Sequence, residues 1–227
     1  RDTNGDGKPD QWIEFSGGVP GVQKDDLNFD GRVDSTTWFE AGKPVRREED
    51  SNGDGKLERR IQYVNGEPAV VEEDANGDGR PELHAEFGPD GKKTLERQDP
   101  DSDGRSDATI SFADGVKVRV EEDSNHDGKI DLVTEYAGDR ITSRKSDSDG
   151  DGRFDTVSSY ENGVERRQVR DLKGDGTPEV VTVFAADGTR ESEEFDADGD
   201  GRVELHRIYQ NGKKVREEED TNQDGSV

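Results

Sequence analysis

Short runs rich in β-branched and aromatic residues recur along the chain at a nearly constant spacing, and each run ends in Phe or Tyr. The runs cover residues 11–15, 35–39, 59–63, 83–87, 108–112, 132–136, 156–160, 180–184 and 205–209. Thr, Val, Ile and aromatic side chains favour strands, and about five residues are too few for a stable helix. The pattern therefore predicts one short strand in each repeat of 24 or 25 residues.

Turn signals and a second, mostly charged run follow each predicted strand. The turn signals are Asn-Gly at 65–66, 162–163 and 211–212, Asp-Gly at 90–91, 114–115 and 187–188, and weaker pairs at 17–18, 41–42 and 137–138. Charged runs such as 45–49, 118–122 and 215–219 come next. Because Asn-Gly and Asp-Gly between strand-like runs indicate two-residue hairpins, each repeat is predicted to contain one β-hairpin.

The repeating order of acidic loop, strand, turn and strand predicts an all-β fold. We expect the hairpins to form an elongated antiparallel meander, with the acidic loops along one edge and the turns along the other. The alternative is a β-solenoid with one repeat per coil. Neither face of the strands is consistently apolar, so the sheet is expected to be thin, with an aromatic ladder on one face and charge pairs between neighbouring strands.

Composition conflicts with a fold that depends on an apolar core. The chain has 227 residues and a formal charge of −25, with 39% charged residues. Leu, Ile, Val and Phe together make up about 18% of it, below the roughly 20% at which strongly charged chains are usually disordered. Something other than apolar burial must therefore hold the chain together.

The stretch 50–58, Asp-Ser-Asn-Gly-Asp-Gly-Lys-Leu-Glu, offers such a source of cohesion. Side-chain oxygens fall at positions 1, 3, 5 and 9, and a glycine falls at position 6. Ca²⁺ takes about 6–8 oxygen ligands from carboxylates, amide carbonyls, backbone carbonyls and water. We predict that the four side chains, together with the backbone carbonyl of position 7, hold one Ca²⁺ per repeat.

This nine-residue pattern occurs nine times in full, and we call the copies loops one to nine. They are residues 2–10, 26–34, 50–58, 74–82, 99–107, 123–131, 147–155, 171–179 and 196–204. A tenth copy begins at residue 220 and is cut short by the end of the sequence. Its candidate ligands are Asp220, Asn222 and Asp224.

The candidate ligands fall into five sets according to their position in the loop. Position 1 is Asp2, Asp26, Asp50, Asp74, Asp99, Asp123, Asp147, Asp171 and Asp196. Position 3 is Asn4, Asn28, Asn52, Asn76, Asp101, Asn125, Asp149 and Asp198. Position 5 is Asp6, Asp30, Asp54, Asp78, Asp103, Asp127, Asp151, Asp175 and Asp200.

Position 7 contributes its backbone carbonyl, and position 9 contributes a carboxylate. Position 7 is Lys8, Arg32, Lys56, Arg80, Arg105, Lys129, Arg153, Thr177 and Arg202. Position 9 is Asp10, Asp34, Glu58, Glu82, Asp107, Asp131, Asp155, Glu179 and Glu204. Loop eight carries Lys173 at position 3, so weaker or water-completed binding is expected there. Nine Ca²⁺ ions would reduce the net charge from −25 to about −7.

Other features narrow the class of protein. There is no Cys, which excludes disulfides and thiolate metal sites. No apolar run approaches the roughly 20 residues of a membrane span, and the acidic surface argues against nucleic acid. Because cytosolic free Ca²⁺ is low, an extracellular or cell-surface setting is expected, where modules bind Ca²⁺ with dissociation constants of about 10⁻⁴–10⁻³ M.

No residue set indicates catalysis, and the chain is not expected to be an enzyme. The carboxylate pairs are all accounted for by calcium. The histidines His84, His126 and His206 lack the nearby Cys or His partners of a zinc site. Trp12 and Trp38 could stack on sugars, but packing on the sheet is the simpler role.

The loops resemble several families of calcium modules. The stretch 50–58 is similar to the D-x-D-x-D-G-x-x-D loops of integrin-type and FG-GAP β-propeller repeats, and to thrombospondin type 3 repeats, although those carry Cys. Stretches such as 209–213 resemble MORN-like hairpins. The resemblance implies a cell-surface or secreted repeat architecture rigidified by calcium. An EF-hand would need Glu at position 12, where this chain has Ile13, Thr37, Ile61, Ala85, Ile110, Thr134, Ser158, Thr182 and Arg207.

Two functions remain open from the sequence. The first is a stiff extracellular fibre, stalk or surface filament, which uniform repetition favours. The second is the repeat region of a calcium-dependent adhesin that binds glycan or protein. Residues 1–227 are expected to form one continuous repeat array that belongs to a longer chain or joins end to end through its edge strands.

Overall fold

A computed structural model describes residues 1–221, and in that range the protein is built from strands alone. The strands are β1 Gln11–Ser16, β2 Val19–Asp25, β3 Ser35–Glu40, β4 Lys43–Glu49, β5 Arg59–Val64, β6 Glu67–Glu73, β7 Leu83–Phe87, β8 Lys93–Gln98, β9 Ala108–Ala113, β10 Val116–Glu122, β11 Leu132–Ala137, β12 Arg140–Ser146, β13 Thr156–Glu161, β14 Val164–Arg170, β15 Val180–Phe184, β16 Arg190–Phe195, β17 Leu205–Gln210 and β18 Lys213–Glu219. Each odd-numbered strand covers one of the runs predicted from the sequence.

The chain divides into two compact units, Arg1–Val116 and Lys117–Val227. In the first unit, β1 to β9 form a meander in which each strand pairs antiparallel with the next one along the chain. In the second unit, β10 to β18 pair in the same way. The predicted meander is confirmed and the solenoid alternative is wrong, because coils would pair each strand with its counterpart in the next repeat.

The hairpin turns follow the predicted Gly signals. Asn65-Gly66 joins β5 to β6 with φ of 57° and 94°, the left-handed pair that a two-residue turn between twisted strands requires. One predicted pair is shifted by one residue. Ala137 is the last residue of β11, so the turn is formed by Gly138 and Asp139, with the positive φ of 62° at Gly138.

The two repeats of 25 residues have longer turns than a two-residue hairpin. Residues 88–92 join β7 to β8, and residues 185–189 join β15 to β16. In the first, the Gly88 amide donates to the Lys92 carbonyl at 2.8 Å, which closes a five-residue loop. The extra residue therefore lies in the turn, and the Asp-Gly pairs of these repeats sit inside loops larger than the predicted two-residue hairpins.

In eight of the hairpins the aromatic residue marks a bulge. The register shifts immediately before it at Phe15, Phe39, Tyr63 and Phe87 in the first unit. The same shift precedes Tyr136, Tyr160, Phe184 and Tyr209 in the second. A bulge bends and twists the strand that carries it, so the regular aromatic residue coincides with a regular distortion of the sheet.

Very little apolar surface is buried in the described residues, as predicted. The buried apolar side chains are Ile61, Val71, Ala85, Val133 and Val180. Tyr63, Leu83 and Phe87 pack against the first three of these. Loop carboxylates form much of the buried set, including Asp26, Asp74, Asp123, Asp147 and Asp196. Because buried charges are costly unless compensated, each of these carboxylates requires hydrogen bonds or a counter-charge.

Opposite charges pair across neighbouring strands, as the sequence predicts. Arg59 on β5 lies within 3.5 Å of Glu73 on β6 and 3.8 Å of Glu49 on β4. Several rings are covered by cations, and the Arg46 guanidinium lies 3.9 Å from the centre of the Trp38 ring. These pairs are solvent-exposed to different degrees and each contributes at most about 1 kcal/mol.

None of residues 1–221 belongs to a helix with the length and apolar content that a membrane span requires.

Candidate metal centre

Position 1 of each loop organises the backbone that follows it. In all nine loops between residues 2 and 204, the amide of the position 6 glycine donates to Oδ2 of the position 1 aspartate at 2.7–2.9 Å. The second oxygen accepts from position 4 or 5 in most of them, as in Gly53 to Asp50 at 2.8 Å. These bonds curl the chain around one carboxylate.

Positions 3 and 5 extend the same network. In eight of the nine loops, Oδ1 of the position 3 side chain accepts from the position 5 amide at 2.8–3.1 Å. In all nine, Oδ1 of the position 5 aspartate accepts from the position 7 amide at 2.7–2.9 Å. The side chains at these positions are therefore held in place by backbone amides of their own loop.

Position 9 closes the loop from the far side. In every loop except loop five, its carboxylate accepts from the position 2 amide at 2.6–2.8 Å. In loops two, three and six the Asn at position 3 also donates to it, as in Asn52 Nδ2 to Glu58 Oε1 at 2.8 Å. This places the Asn nitrogen toward position 9 and leaves the Asn oxygen for the position 5 amide.

The backbone explains which loop positions must be glycine. Position 6 has φ of 86–96° in the nine loops and is always Gly. Position 4 also has positive φ, but Phe29, Ser102 and His126 occupy it at 58–64°, inside the left-handed region that residues with a Cβ tolerate. The sequence pattern marks the glycine at position 6, but it did not predict the second left-handed residue at position 4.

The carboxylate oxygens converge on a volume that suits a cation. Oxygens of three acidic residues in loops one, two and three, and of four in loop nine, lie within 4.8 Å of one another: Asp2, Asp6 and Asp10; Asp26, Asp30 and Asp34; Asp50, Asp54 and Glu58; Asp196, Asp198, Asp200 and Glu204. Two ligands on opposite sides of a Ca²⁺ ion at 2.3–2.6 Å would be about 4.6–5.2 Å apart. Oxygens this close together could ligate one metal ion, and an oxygen that accepts one amide hydrogen bond retains a lone pair.

Loop five is the least satisfied internally. Pro100 occupies position 2 and has no amide hydrogen to donate to position 9. Asp99 is only 8% exposed, and its Oδ1 is buried without a hydrogen-bond partner. Burial raises the pKa of the Asp99 carboxyl above its ordinary value, and the neighbouring Asp101 and Asp103 carboxylates add to that rise against the Gly104 amide bond. A cation would relieve both effects.

Other loop carboxyls are held in the charged form by their donors. The amide and hydroxyl of Thr3 both donate to Asp10 Oδ2, at 2.8 and 2.7 Å, and lower the pKa of Asp10. Burial opposes the same effect at Asp155, where the hydroxyl and amide of Ser148 prevail and lower its pKa. A hydroxyl at position 2 thus keeps position 9 ionised and ready to ligate.

The side chains at position 7 connect neighbouring loops. Arg80 Nη1 of loop four donates to the Ser102 carbonyl of loop five at 2.9 Å. Lys129 Nζ of loop six donates to the Gly150 carbonyl of loop seven at 2.9 Å. In each case the acceptor is position 4 of the next loop. Sequence reasoning considered only the position 7 carbonyl and missed this contact, although a basic residue at position 7 in eight of nine loops was the signal.

Loop eight departs from this scheme at two positions. Position 7 is Thr177 instead of a basic residue, and position 3 is Lys173 instead of an oxygen ligand. Lys173 Nζ donates to the Ala197 carbonyl of loop nine at 2.9 Å and lies 3.4 Å from Glu179 Oε1 in its own loop. A cavity of about 420 Å³ separates loop eight from loop seven and is lined by both.

In loops one, two, three and nine the structure brings the predicted carboxylates at positions 1, 5 and 9 together. Oδ1 of position 3 accepts from the position 5 amide in every loop except that of Lys173. The part played by the position 7 carbonyl stays a prediction. In the tenth loop Asp220 is buried, whereas Asn222 and Asp224 lie outside the described residues. Position 12 lies within the first strand of the hairpin, and its side chain is buried at Thr37, Ile61 and Ala85. A residue in that place could not ligate an ion in the loop as position 12 does in an EF-hand.

The histidines of the sheet pair with carboxylates. His84 lies 3.4 Å from Glu72 and 3.2 Å from Glu86, and His206 lies 3.7 Å from Glu218. These contacts are cross-strand or same-strand pairs at the level of the sheet.

No family model matches this chain, and the search of curated proteins found no match. The assignment of a function therefore depends on the loops themselves.

Proposed function

We propose that this chain is a calcium-binding structural repeat protein of the extracellular space or cell surface. Its acidic loops hold about one Ca²⁺ each and stiffen the hairpins that they join, as suits a fibre, stalk or surface filament. The observation that carries the proposal is the repetition of one preorganised set of oxygen ligands in a sheet with very few buried apolar side chains.

Calcium fits the donor set better than other common cations. All candidate ligands are oxygens, which excludes a preference for soft metals. Outside loop eight, the residue at position 3 is Asn or Asp. The residue at position 9 is Asp or Glu, so the ligand set varies from loop to loop. Ca²⁺ accepts such variable shells, whereas Mg²⁺ requires near-octahedral geometry at about 2.0–2.1 Å and gives up its waters reluctantly.

A structural role follows from how the ions would act. In their absence the loop carboxylates repel one another and only amide donors oppose that repulsion. An ion in each loop would replace repulsion by attraction and fix the angle between consecutive hairpins. In a repeat protein, in which each unit contacts its neighbours, such local stiffening adds up along the chain.

The proposal is tested by counting bound ions. The calcium-free chain is dialysed against millimolar CaCl₂, and bound calcium is measured per chain. We expect several ions per chain and the loss of one in Asp54→Ala, which removes the position 5 carboxylate of loop three. The control is Asp90→Ala in the turn between β7 and β8, which should lose none. A chain that binds no calcium, or two variants that lose equally, would contradict the proposal.

The structural role is tested separately by electron microscopy of the chain in calcium and in EGTA. Straight, uniform particles in calcium that become irregular in EGTA would support a stiff fibre or stalk. Saturable binding of a glycan or protein by the calcium-loaded chain would favour the adhesin alternative instead.

A further inference from the structure

Loop eight combines two substitutions that lie at separate positions of the sequence. It lacks an oxygen ligand at position 3, and it lacks the basic residue at position 7 that reaches the next loop. Lys173 is the first change and compensates for the second. It replaces the oxygen ligand at position 3, and its ammonium supplies the positive charge that position 7 supplies in the other loops.

The Lys173 ammonium contacts both loops that it lies between. It links loop eight to loop nine through position 2 of that loop, by donating to the Ala197 carbonyl at 2.9 Å, whereas the position 7 side chains of loops four, six and seven reach position 4 of the next loop. It also lies beside position 4 of loop nine, where a Cβ added to Gly199 would meet Nζ at 3.3 Å. Within loop eight it lies 3.4 Å from Glu179 Oε1.

One oxygen of the Glu179 carboxylate, Oε1, depends on the Lys173 ammonium for a compensating charge. The residue is 8% exposed, and Oε1 is buried without a hydrogen bond, while Oε2 accepts from the Leu172 amide at 2.7 Å. In loop three the corresponding Glu58 Oε1 accepts from the amide nitrogen of Asn52. Lysine at position 3 thus directs a full positive charge to the place where asparagine directs a neutral donor.

We propose that the Lys173 ammonium is the resident cation of loop eight and takes the place of the metal ion there. The inference depends on the proposed function, since it concerns which of the acidic loops are calcium sites. A tethered ammonium neutralises Glu179, leaves only Asp171 and Asp175 as further carboxylates, and repels a divalent ion. Loop eight then keeps its conformation and its link to loop nine without calcium.

The test converts loop eight into a calcium site. Lys173→Asn restores the position 3 residue of loop three, and Lys213→Asn on β18 makes the same chemical change away from the loops. Bound calcium is counted at saturating CaCl₂. We expect Lys173→Asn to bind one ion more than the unaltered chain and Lys213→Asn to bind the same number. In EGTA, Lys173→Asn should melt at a lower temperature than the unaltered chain, because it has lost its internal cation.

A measurement on the unaltered chain covers the case in which the variant does not fold. The side-chain carboxyl carbons of Glu179 in loop eight and Glu204 in loop nine are followed by NMR during a calcium titration. The Glu204 signal should shift to saturation, and the Glu179 signal should not. A Glu179 signal that shifts with Glu204, or a folded Lys173→Asn chain that gains no ion while the other loops fill, would overturn the inference alone. An unaltered chain that binds no calcium would defeat the proposed function and the inference with it.

Discussion

The guanidinium of Arg153 in loop seven donates to the backbone carbonyl of Gly174 in loop eight at 2.7 Å. The contact joins consecutive acidic loops through a side chain that is not itself a ligand. It also places a positive charge beside an acidic loop whether or not an ion is bound. Neighbouring loops are therefore coupled directly as well as through the sheet.

Removing this contact should destabilise the chain more in EGTA than in calcium. For Arg153→Ala we expect the free energy of unfolding to fall by about 1 kcal/mol, measured by chemical denaturation. Arg153→Lys should retain most of the stability, because Lys129 makes the same contact from loop six. Lys213→Ala removes an equal charge from an exposed position on β18 and serves as the control. Equal losses in Arg153→Ala and Lys213→Ala would show that only the net charge matters.

Alanine substitutions at the two positive-φ glycines of a loop should lower the free energy of unfolding by different amounts. Gly152 at position 6 of loop seven has φ of 96°, whereas Gly150 at position 4 has φ of 75°. Neither Cβ would meet an atom closer than 3.7 Å, so backbone strain decides the outcome. We expect Gly152→Ala to lower the free energy of unfolding by about 1–2 kcal/mol and Gly150→Ala by less. Thermal unfolding of both variants checks this order, and the reverse order would show that the φ values do not govern these positions.

Lowering the pH should protonate Asp10 and remove the stability that its hydrogen bonds from Thr3 contribute. Because the folded pKa of Asp10 is lowered, its contribution to stability is complete above the ordinary aspartate pKa and is lost as the pH falls through the lowered value. Thr3→Val removes the hydroxyl donor and keeps the amide donor, so the pKa of Asp10 should rise toward the ordinary value. NMR titration of the carboxyl carbon without calcium measures it. Asp155, which Ser148 holds in the second unit, should titrate identically in both proteins.

In loop five, one substitution should stabilise the calcium-free chain and at the same time weaken calcium binding. Asp99→Asn removes a buried charge that burial and two neighbouring carboxylates disfavour. In EGTA the variant should melt at a higher temperature than the unaltered chain. In calcium it should lose affinity at this loop, on the order of tenfold or more, because one charged ligand is gone. Thermal melts in the two buffers give the sign of each effect, and a change of the same sign in both would contradict this account of Asp99.

Much of the fold follows from the sequence, because the repeat makes each local signal visible nine times. The run ending at Tyr63 and the turn at Asn65-Gly66 give β5 and β6 with little ambiguity. The turn at Gly138 was displaced by one residue, since Ala137 tolerates a strand as well as a turn and only Gly138 requires the positive φ. The five-residue loop after β7 could not be distinguished from a hairpin by an Asp-Gly pair alone.

The candidate site was predicted as a set of ligands but not as a connected system. Spacing along one loop places Asp50, Asp54 and Glu58 around one centre. It does not say where Arg80 or Lys173 points, because that depends on how the next loop lies beside it. The contacts between loops therefore required the three-dimensional arrangement, and so did the buried Oδ1 without a hydrogen bond that distinguishes Asp99 from the other position 1 residues.

The most direct test is thermal unfolding, followed by circular dichroism, in 5 mM CaCl₂, in EGTA and in 5 mM MgCl₂. At dissociation constants of about 10⁻⁴–10⁻³ M, each occupied loop adds about 1–2 kcal/mol in 5 mM calcium. We expect a large rise in melting temperature in calcium and a much smaller one in magnesium. Identical melting curves in calcium and EGTA would contradict the claim that cations in the acidic loops hold this fold together.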